Sequence, residues 1–267
     1  MKNYINICLL FFLLSSLPGH TFENATQKGL RLSTKINQFN KGFIGEQSKM
    51  EMVLIDAHGN KVSRILSTKV KEQKNDGDRS LSTFYKPLDV QGTKMLTWTH
   101  KNGDDDQWLY LPALKRVKRI SSSNKSGAFL GSEFAYEDLG SSELEKFNYK
   151  FLEEKEKYRG DHNVWVIERT PKTKSGYAKQ ISYISKKFMT AVIIEYFNNR
   201  NEMMKQAVFS DFKAYKLKKD RTIYRANKIV MSNLLTEKKT ILKWSERKLN
   251  VLYKNTIFKK NSLKDSF

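Results

Sequence analysis

From residue 50 onward, short alternating or continuously apolar stretches recur, each closed by a tight-turn signal, and no long helical period separates them. Parallel strands need crossovers of a dozen or more residues, usually helical, so this spacing commits the chain to antiparallel pairing of neighbours. Met50, Met52 and Leu54 alternate with Glu51, Val53 and Ile55 ahead of the turn His58-Gly59-Asn60, and 62–71 return as the hairpin partner. Asn75-Asp76-Gly77-Asp78 turns into 80–85, which Pro87 ends. A strand over 94–100 puts Leu96, Trp98 and His100 on one face and leads through Asn102-Gly103-Asp104 into 107–120. There Trp108 and Tyr110 share one face, Leu109 and Leu111 the other, and Pro112 demands an edge position or a bulge. Further strands are expected at 164–169, 177–185, 191–197, 204–215, 224–232 and 240–246, with turns at Arg159-Gly160-Asp161, Asn198-Asn199 and Lys219-Asp220. Helix is expected in two places. Over 23–39, Leu30, Ile36 and Phe39 allow an amphipathic helix that Gly29 weakens. After Asp138, Ser142 and Glu145 have the spacing of a capping box.

Several strands are apolar on both faces, as in Val192, Ile194 and Tyr196 against Ala191, Ile193 and Phe197. An antiparallel sheet with one solvated face would alternate polar and apolar. Something must therefore cover the second face: a helix, another sheet, or a lid over a cavity that admits acyl chains.

The N-terminus bears on compartment. Lys2 precedes an apolar stretch of about ten residues, 5–14, which suits the h-region of a signal peptide and is too short for a membrane span. Cleavage is expected between Ser16 and Phe22, giving a signal peptide of roughly residues 1–20 and one domain over 21–267. The only cysteine, Cys8, lies inside the apolar stretch rather than at its end, so a lipid-anchored, disulfide-bonded or thiolate-dependent mature protein is not expected. About 245 residues can bury a core without such staples. The net charge of +21 would suggest nucleic acid in a cytoplasmic protein. For an exported chain it points instead to anionic lipid head groups, acidic protein surfaces or lipopolysaccharide phosphates, or to a merely solvated basic surface, with no nucleic-acid partner.

Catalytic patterns are sparse. Ser122 and Lys125 have the S-x-x-K spacing of acyl-serine enzymes, but the same spacing recurs at Ser210/Lys213 and Ser245/Lys248, as a Ser- and Lys-rich chain produces by chance. The four histidines, at 20, 58, 100 and 162, lack ligand-like spacing, so no metal or other cofactor is expected. Asp104-Asp105-Asp106 reads as a solvated turn rather than a calcium loop.

The most distinctive stretch is 106–139, DQWLYLPALKRVKRISSSNKSGAFLGSEFAYEDL, preceded by PLDVQGT at 87–93 and followed by SGY at 175–177, EYF at 195–197 and IFKKNSLK at 257–264. Together these resemble the outer-membrane lipoprotein-sorting proteins, a branch with the LolA/LolB-like fold. The resemblance implies a mainly β protein with a few helices: a curved antiparallel sheet forming an incomplete, half-open barrel, with helices over its concave apolar face. It implies a periplasmic, non-catalytic role in binding lipids or lipoprotein acyl chains and passing them toward the outer membrane, often beside an RND-type transporter. An accessory docking protein without cargo and a serine hydrolase are the alternatives.

Two residue groups are the candidate sites. Trp98, Trp108, Tyr110, Phe129, Phe134 and Tyr136 are candidates for lipid binding or gating, with core filling as the alternative role, the last three in a loop that Gly127 and Gly131 let turn closely. Lys115, Arg116, Lys118, Arg119 and Lys125 are candidates for docking to a partner or an anionic membrane surface. Their alternative role is salt-bridging to Glu133, Glu137 and Asp138. A regular strand would put Lys115 and Arg119 on one face, Arg116 and Lys118 on the other.

Overall fold

The computed structural model describes residues 23–218 and 220–265. The expected signal peptide, and Lys219 of the expected Lys219-Asp220 turn, lie outside them.

The chain opens with α1, Ala25–Asn40. Asn24 caps it: its side chain accepts from the Gln27 N–H, and Gln27 accepts in return from the Asn24 N–H. Gly29, a weakness by helix propensity, is what lets the helix seat. A Cβ there would stand 2.7 Å from the backbone nitrogen of Phe151 and 2.9 Å from the Cα of Lys150.

Thirteen strands follow: β1 Gly45–Ile55, β2 Lys61–Lys71, β3 Arg79–Lys86, β4 Lys94–Trp98, β5 Asp106–Leu111, β6 Arg116–Ile120, β7 Phe147–Tyr158, β8 His162–Pro171, β9 Lys179–Ser185, β10 Thr190–Phe197, β11 Met203–Lys216, β12 Thr222–Asn233 and β13 Lys239–Leu249. They form one antiparallel sheet in the order β6-β5-β4-β3-β2-β1-β13-β12-β11-β10-β9-β8-β7. Two meanders are thus joined by pairing of β1 with β13, where Met52 stands opposite Leu242. The two edges, β6 and β7, are consecutive in sequence yet unpaired with each other, so the sheet is open. This is the half-open, mainly β architecture expected, with one α-helix among the described residues.

Three expectations are corrected. The run 107–120 is not one strand: Pro112 ends β5, Pro112–Leu114 forms a 3-10 turn, and Lys115 takes a left-handed φ of 48°, folding the chain back as β6. Lys115 therefore shares no strand face with Arg119. The helix expected after Asp138 is absent; the chain makes only the 3-10 turns Tyr136–Leu139 and Leu144–Lys146, and Ser142 accepts a hydrogen bond from Arg169 instead of capping. The strand β7 was not expected, because FNYKFLEEKEKY carries charge where a buried strand would not. It is an edge, and exposed charge is how an edge strand avoids pairing with other chains.

Both sheet faces are covered, by different means. On the concave side of β7–β10, α1 buries Leu32 with Ile36 against Tyr149, Ile167, Ile184 and Ala191. On the convex side of β3–β6, Phe258 and Leu263 of the C-terminal 3-10 turns pack on Leu96 and Trp108. On the convex side of β8–β10, Val164, Val166 and Val192 pack with Ile181, Tyr183 and Phe212. A register shift between Ala191 and Ile193 breaks the strict alternation of β10, so Ala191 joins Ile194 on the concave side.

Candidate functional site

The middle of the concave face presents Met50, Met52, Leu66, Phe84, Met95, Leu109, Met231 and Leu242 from seven strands. No regular element covers it. The irregular segment 121–146, which carries the chain from edge β6 to edge β7, crosses it and drops Phe129, Phe134 and Ala135 into the cluster. Phe129 is 2% exposed, with its ring 5.9 Å from that of Phe84 and 5.7 Å from that of Tyr136. Leu130 and Gly131 both take left-handed φ values, 47° and 76°, which turn the segment back between its two phenylalanines. A leucine in that region is strained and held there by its surroundings.

The surroundings are side-chain tethers. Arg64 Nη1 donates to the Leu130 carbonyl at 2.6 Å, and Lys205 Nζ to the Glu133 carbonyl at 2.8 Å. The Glu133 N–H donates to Thr240 Oγ1, and Asn233 Nδ2 donates to the Glu133 carboxylate. Gln107 Nε2 donates to the Tyr136 carbonyl at 2.7 Å. Glu137 accepts from the Ser175 hydroxyl at 2.6 Å and the Gly176 N–H at 2.9 Å. Asp138, half-buried, accepts from the Ala135 N–H and the Tyr177 hydroxyl. Burial pushes its carboxyl up to about 6 against the pull of those hydrogen bonds and of Lys205. Burial also drives the Tyr177 hydroxyl far above its ordinary value, with the Asp138 charge adding to it, so that hydroxyl stays a donor.

The ends of the segment are clamped to the β4–β5 turn. Lys125 pairs with Asp104 at 2.8 Å and Lys146 with Asp105. The aspartate triplet is therefore not simply solvated: Asp106 joins it by pairing with Arg119 and accepting from His100.

Between this segment, the β4–β5 turn and strands β8–β12 lies a cavity of about 260 Å³. Its apolar wall includes Ile120, Phe134, Phe147, Ile194, Tyr196 and Phe209, and its rim carries Asp104, Lys125, Glu137 and Arg169.

The structure divides both groups of candidate residues. Phe129, Phe134 and Tyr136 come together on the concave side. Trp98, Trp108 and Tyr110 do not join them. They lie on the convex face under the C-terminal turns, with Trp98 Nε1 donating to the Phe258 carbonyl at 2.7 Å and the two tryptophan rings edge to face at 4.9 Å. Trp108 is opposite Arg119 and alternates with the concave Leu109, so the pleat sends it away from the cavity. Of the cations, Arg119 and Lys125 are spent on Asp106 and Asp104, not on the acids of 133–138. Lys115, Arg116 and Lys118 form no ion pair among the described residues. The tethers Arg64 and Lys205 went unread because each sits singly in an ordinary strand. Their only sequence signal is a cation at an inward-facing position.

A family model described as an uncharacterized protein matches residues 76–265. No curated protein matches. A solved structure described as an outer membrane lipoprotein-sorting protein domain, from Vibrio parahaemolyticus, is 39% identical, with a TM-score of 0.85 over 90% of this chain and 100% of that one. The chain belongs to the outer membrane lipoprotein-sorting protein family. Within this family's fold neighbourhood, a DUF1329 family protein from Desulfovibrio piger is similar at 25% identity and a TM-score of 0.82, over 90% of this chain and 99% of that one. A LolA superfamily protein from Nitrosomonas europaea shares the fold at 16% identity and a TM-score of 0.67, over 88% and 98%.

Proposed function

We propose that this protein is a periplasmic, non-catalytic carrier of an acylated ligand, with segment 121–146 as a plug that the ligand displaces. The ligand is a lipid or the acyl chains of a lipoprotein, moved toward the outer membrane, with an RND-type inner-membrane transporter as the companion machine. The working form is the chain from about residue 21, a single carrier domain, once the signal peptide is removed.

One observation carries the reading. The broadest apolar surface of the sheet is covered by an irregular, locally strained segment hung on side-chain hydrogen bonds, rather than by strand pairing. Such a cover can leave without breaking the sheet. The surface beneath it bears Met50, Met52, Met95 and Met231, flexible side chains that repack around ligands of varied shape. The phenylalanines of the plug stand where an acyl chain would lie, so the exchange replaces one apolar contact with another.

A second reading is an accessory protein that docks to a transporter and holds no lipid. The cavity volume favours it: about 260 Å³ lies below the roughly 300–1,000 Å³ of ligand pockets, and the plug fills the remainder. The hydrolase alternative has less support, since Lys125, the only base its motif offers, is held by Asp104, which also accepts from Ser122.

Uptake of a fluorescent acyl probe separates these readings. A carrier takes up the probe in competition with unlabelled lipid, and Phe129→Ala raises the uptake. Failure of both the parent and the variant to bind would favour the accessory role. Ester turnover lost in Ser122→Ala would favour the hydrolase.

A further inference from the structure

We propose that the β5–β6 tip and the C-terminal turns together form a docking surface for an anionic phospholipid bilayer. This goes beyond the carrier reading and does not depend on it, since the surface lies at the β6 edge and the C-terminal turns, away from the cavity.

Lys115, Arg116, Val117, Lys260, Asn261 and Lys264 line an open cleft of about 550 Å³. Four of the six are cations, and none is a carboxylate. None of those four is engaged in an ion pair or a side-chain hydrogen bond among the described residues, whereas the nearby Arg119 and Lys125 are both neutralised. Concentrated like charge without counter-charge is costly to keep, and an anion relieves it.

The cleft is built rather than loose. Lys260 and Lys264 stand on the 3-10 turn Lys260–Lys264, anchored by Leu263 at 1% exposure and by the adjoining Phe258 at 0%. Lys94 Nζ donates to the Asp265 carbonyl at 2.7 Å and holds the turn's far end. On the other wall, the left-handed backbone of Lys115 fixes the hairpin tip. Lysine ammonium groups suit phosphate as point charges, and the arginine fork suits it bidentately.

Leu114 decides in favour of a bilayer over an acidic protein. It is 63% exposed and directly precedes Lys115 and Arg116 on the same hairpin. An apolar side chain projecting beside cations is the composition of an interfacial membrane contact: the leucine enters the acyl boundary while the cations meet head-group phosphates. A site for free phosphate would gain nothing from it.

The test is co-sedimentation of the intact protein with vesicles of phosphatidylethanolamine and phosphatidylglycerol, against vesicles of phosphatidylcholine. Binding is expected to the anionic vesicles only, weakening as salt rises. Each lysine near an anionic surface contributes about fivefold in affinity, so Lys260→Ser with Lys264→Ser is expected to weaken binding about thirtyfold. Lys213→Ser with Lys248→Ser removes the same charge from exposed sites on β11 and β13, and is expected to change binding less than about threefold. Equal loss in both pairs would overturn the proposal by showing a response to net charge alone. A polarity-sensitive dye on Leu114→Cys, in a Cys8→Ser background, is expected to shift to the blue on anionic vesicles; no shift would overturn bilayer docking. Absence of vesicle binding, with Lys260- and Lys264-dependent binding to polyglutamate, would overturn it in favour of an acidic protein partner.

Discussion

Tyr177 donates its phenolic hydrogen to Oδ2 of Asp138 at 2.9 Å, and so ties segment 121–146 to the approach of β9. Burial raises the Asp138 carboxyl from 3.8 to about 6. The folded protein therefore holds a proton on Asp138 at pH values where the unfolded chain has lost it. A raised carboxyl contributes most favourably at low pH, and that contribution fades as pH climbs from about 4 through 6. Asp138→Asn keeps an acceptor for Tyr177 and Ala135 but never ionises. It is expected to match the parent near pH 4 and to exceed it by up to about 3 kcal/mol at pH 8 in urea unfolding. A variant that is less stable than its parent at pH 8 would mean that the ionised Asp138 is a net stabiliser.

Gly29→Ala sets helix propensity against packing. Alanine favours the helix by about 1 kcal/mol. Its Cβ would meet the backbone of Lys150 and Phe151 at less than 3 Å, and backbone gives way poorly. The variant is expected to lose about 2 kcal/mol or more in chemical unfolding, with the loss showing as release of α1 from β7. Unchanged or increased stability would mean that the helix does not seat on β7 in this way.

Trp98→Phe tests the division of the aromatic residues. It removes the hydrogen bond to Phe258 while keeping an aromatic ring under the C-terminal turns. Stability is expected to fall by about 1–2 kcal/mol, with the 255–265 amides exchanging faster and acyl-probe uptake unchanged. Altered uptake with normal protection of the tail would return Trp98 to the gate.

Phe129→Ala distinguishes a plug from a core residue. Removing a phenylalanine from a core typically costs 3–5 kcal/mol of global stability. For a plug the loss is local. Hydrogen exchange is expected to accelerate over 127–137 while β1, β2 and β13 keep their protection. Uniform acceleration through the sheet would mark segment 121–146 as an inseparable part of the core.

The strand framework was legible because its signal is local. Met50, Met52 and Leu54 alternate, Gly59 turns, and Pro87 stops a strand, wherever the strands finally lie. Failures came where long-range geometry overrides local pattern. Phe147–Tyr158 carries too much charge to announce a strand, and it becomes one only because β8 offers a partner and the edge tolerates charge. Pro112 was read as an irregularity in one strand when it ends that strand. Alternation could separate Trp108 from Leu109, but it could not say which face the plug occupies. That depends on how the two meanders curl and on where residues 255–265 return. The aromatic trio 129, 134 and 136 was legible as a group because the glycines around it announce a turn. The tethers that hold it were not, since Arg64, Lys205 and Tyr177 are scattered over more than 140 positions in this 267-residue chain.

Native mass spectrometry of protein released from the periplasm without detergent tests the central claim most directly. A displaceable plug predicts a population carrying mass adducts of acylated molecules, larger in Phe129→Ala than in the parent, with the bare protein as the remainder. Bare protein alone in both samples, together with no adduct after incubation with excess phospholipid, would contradict it.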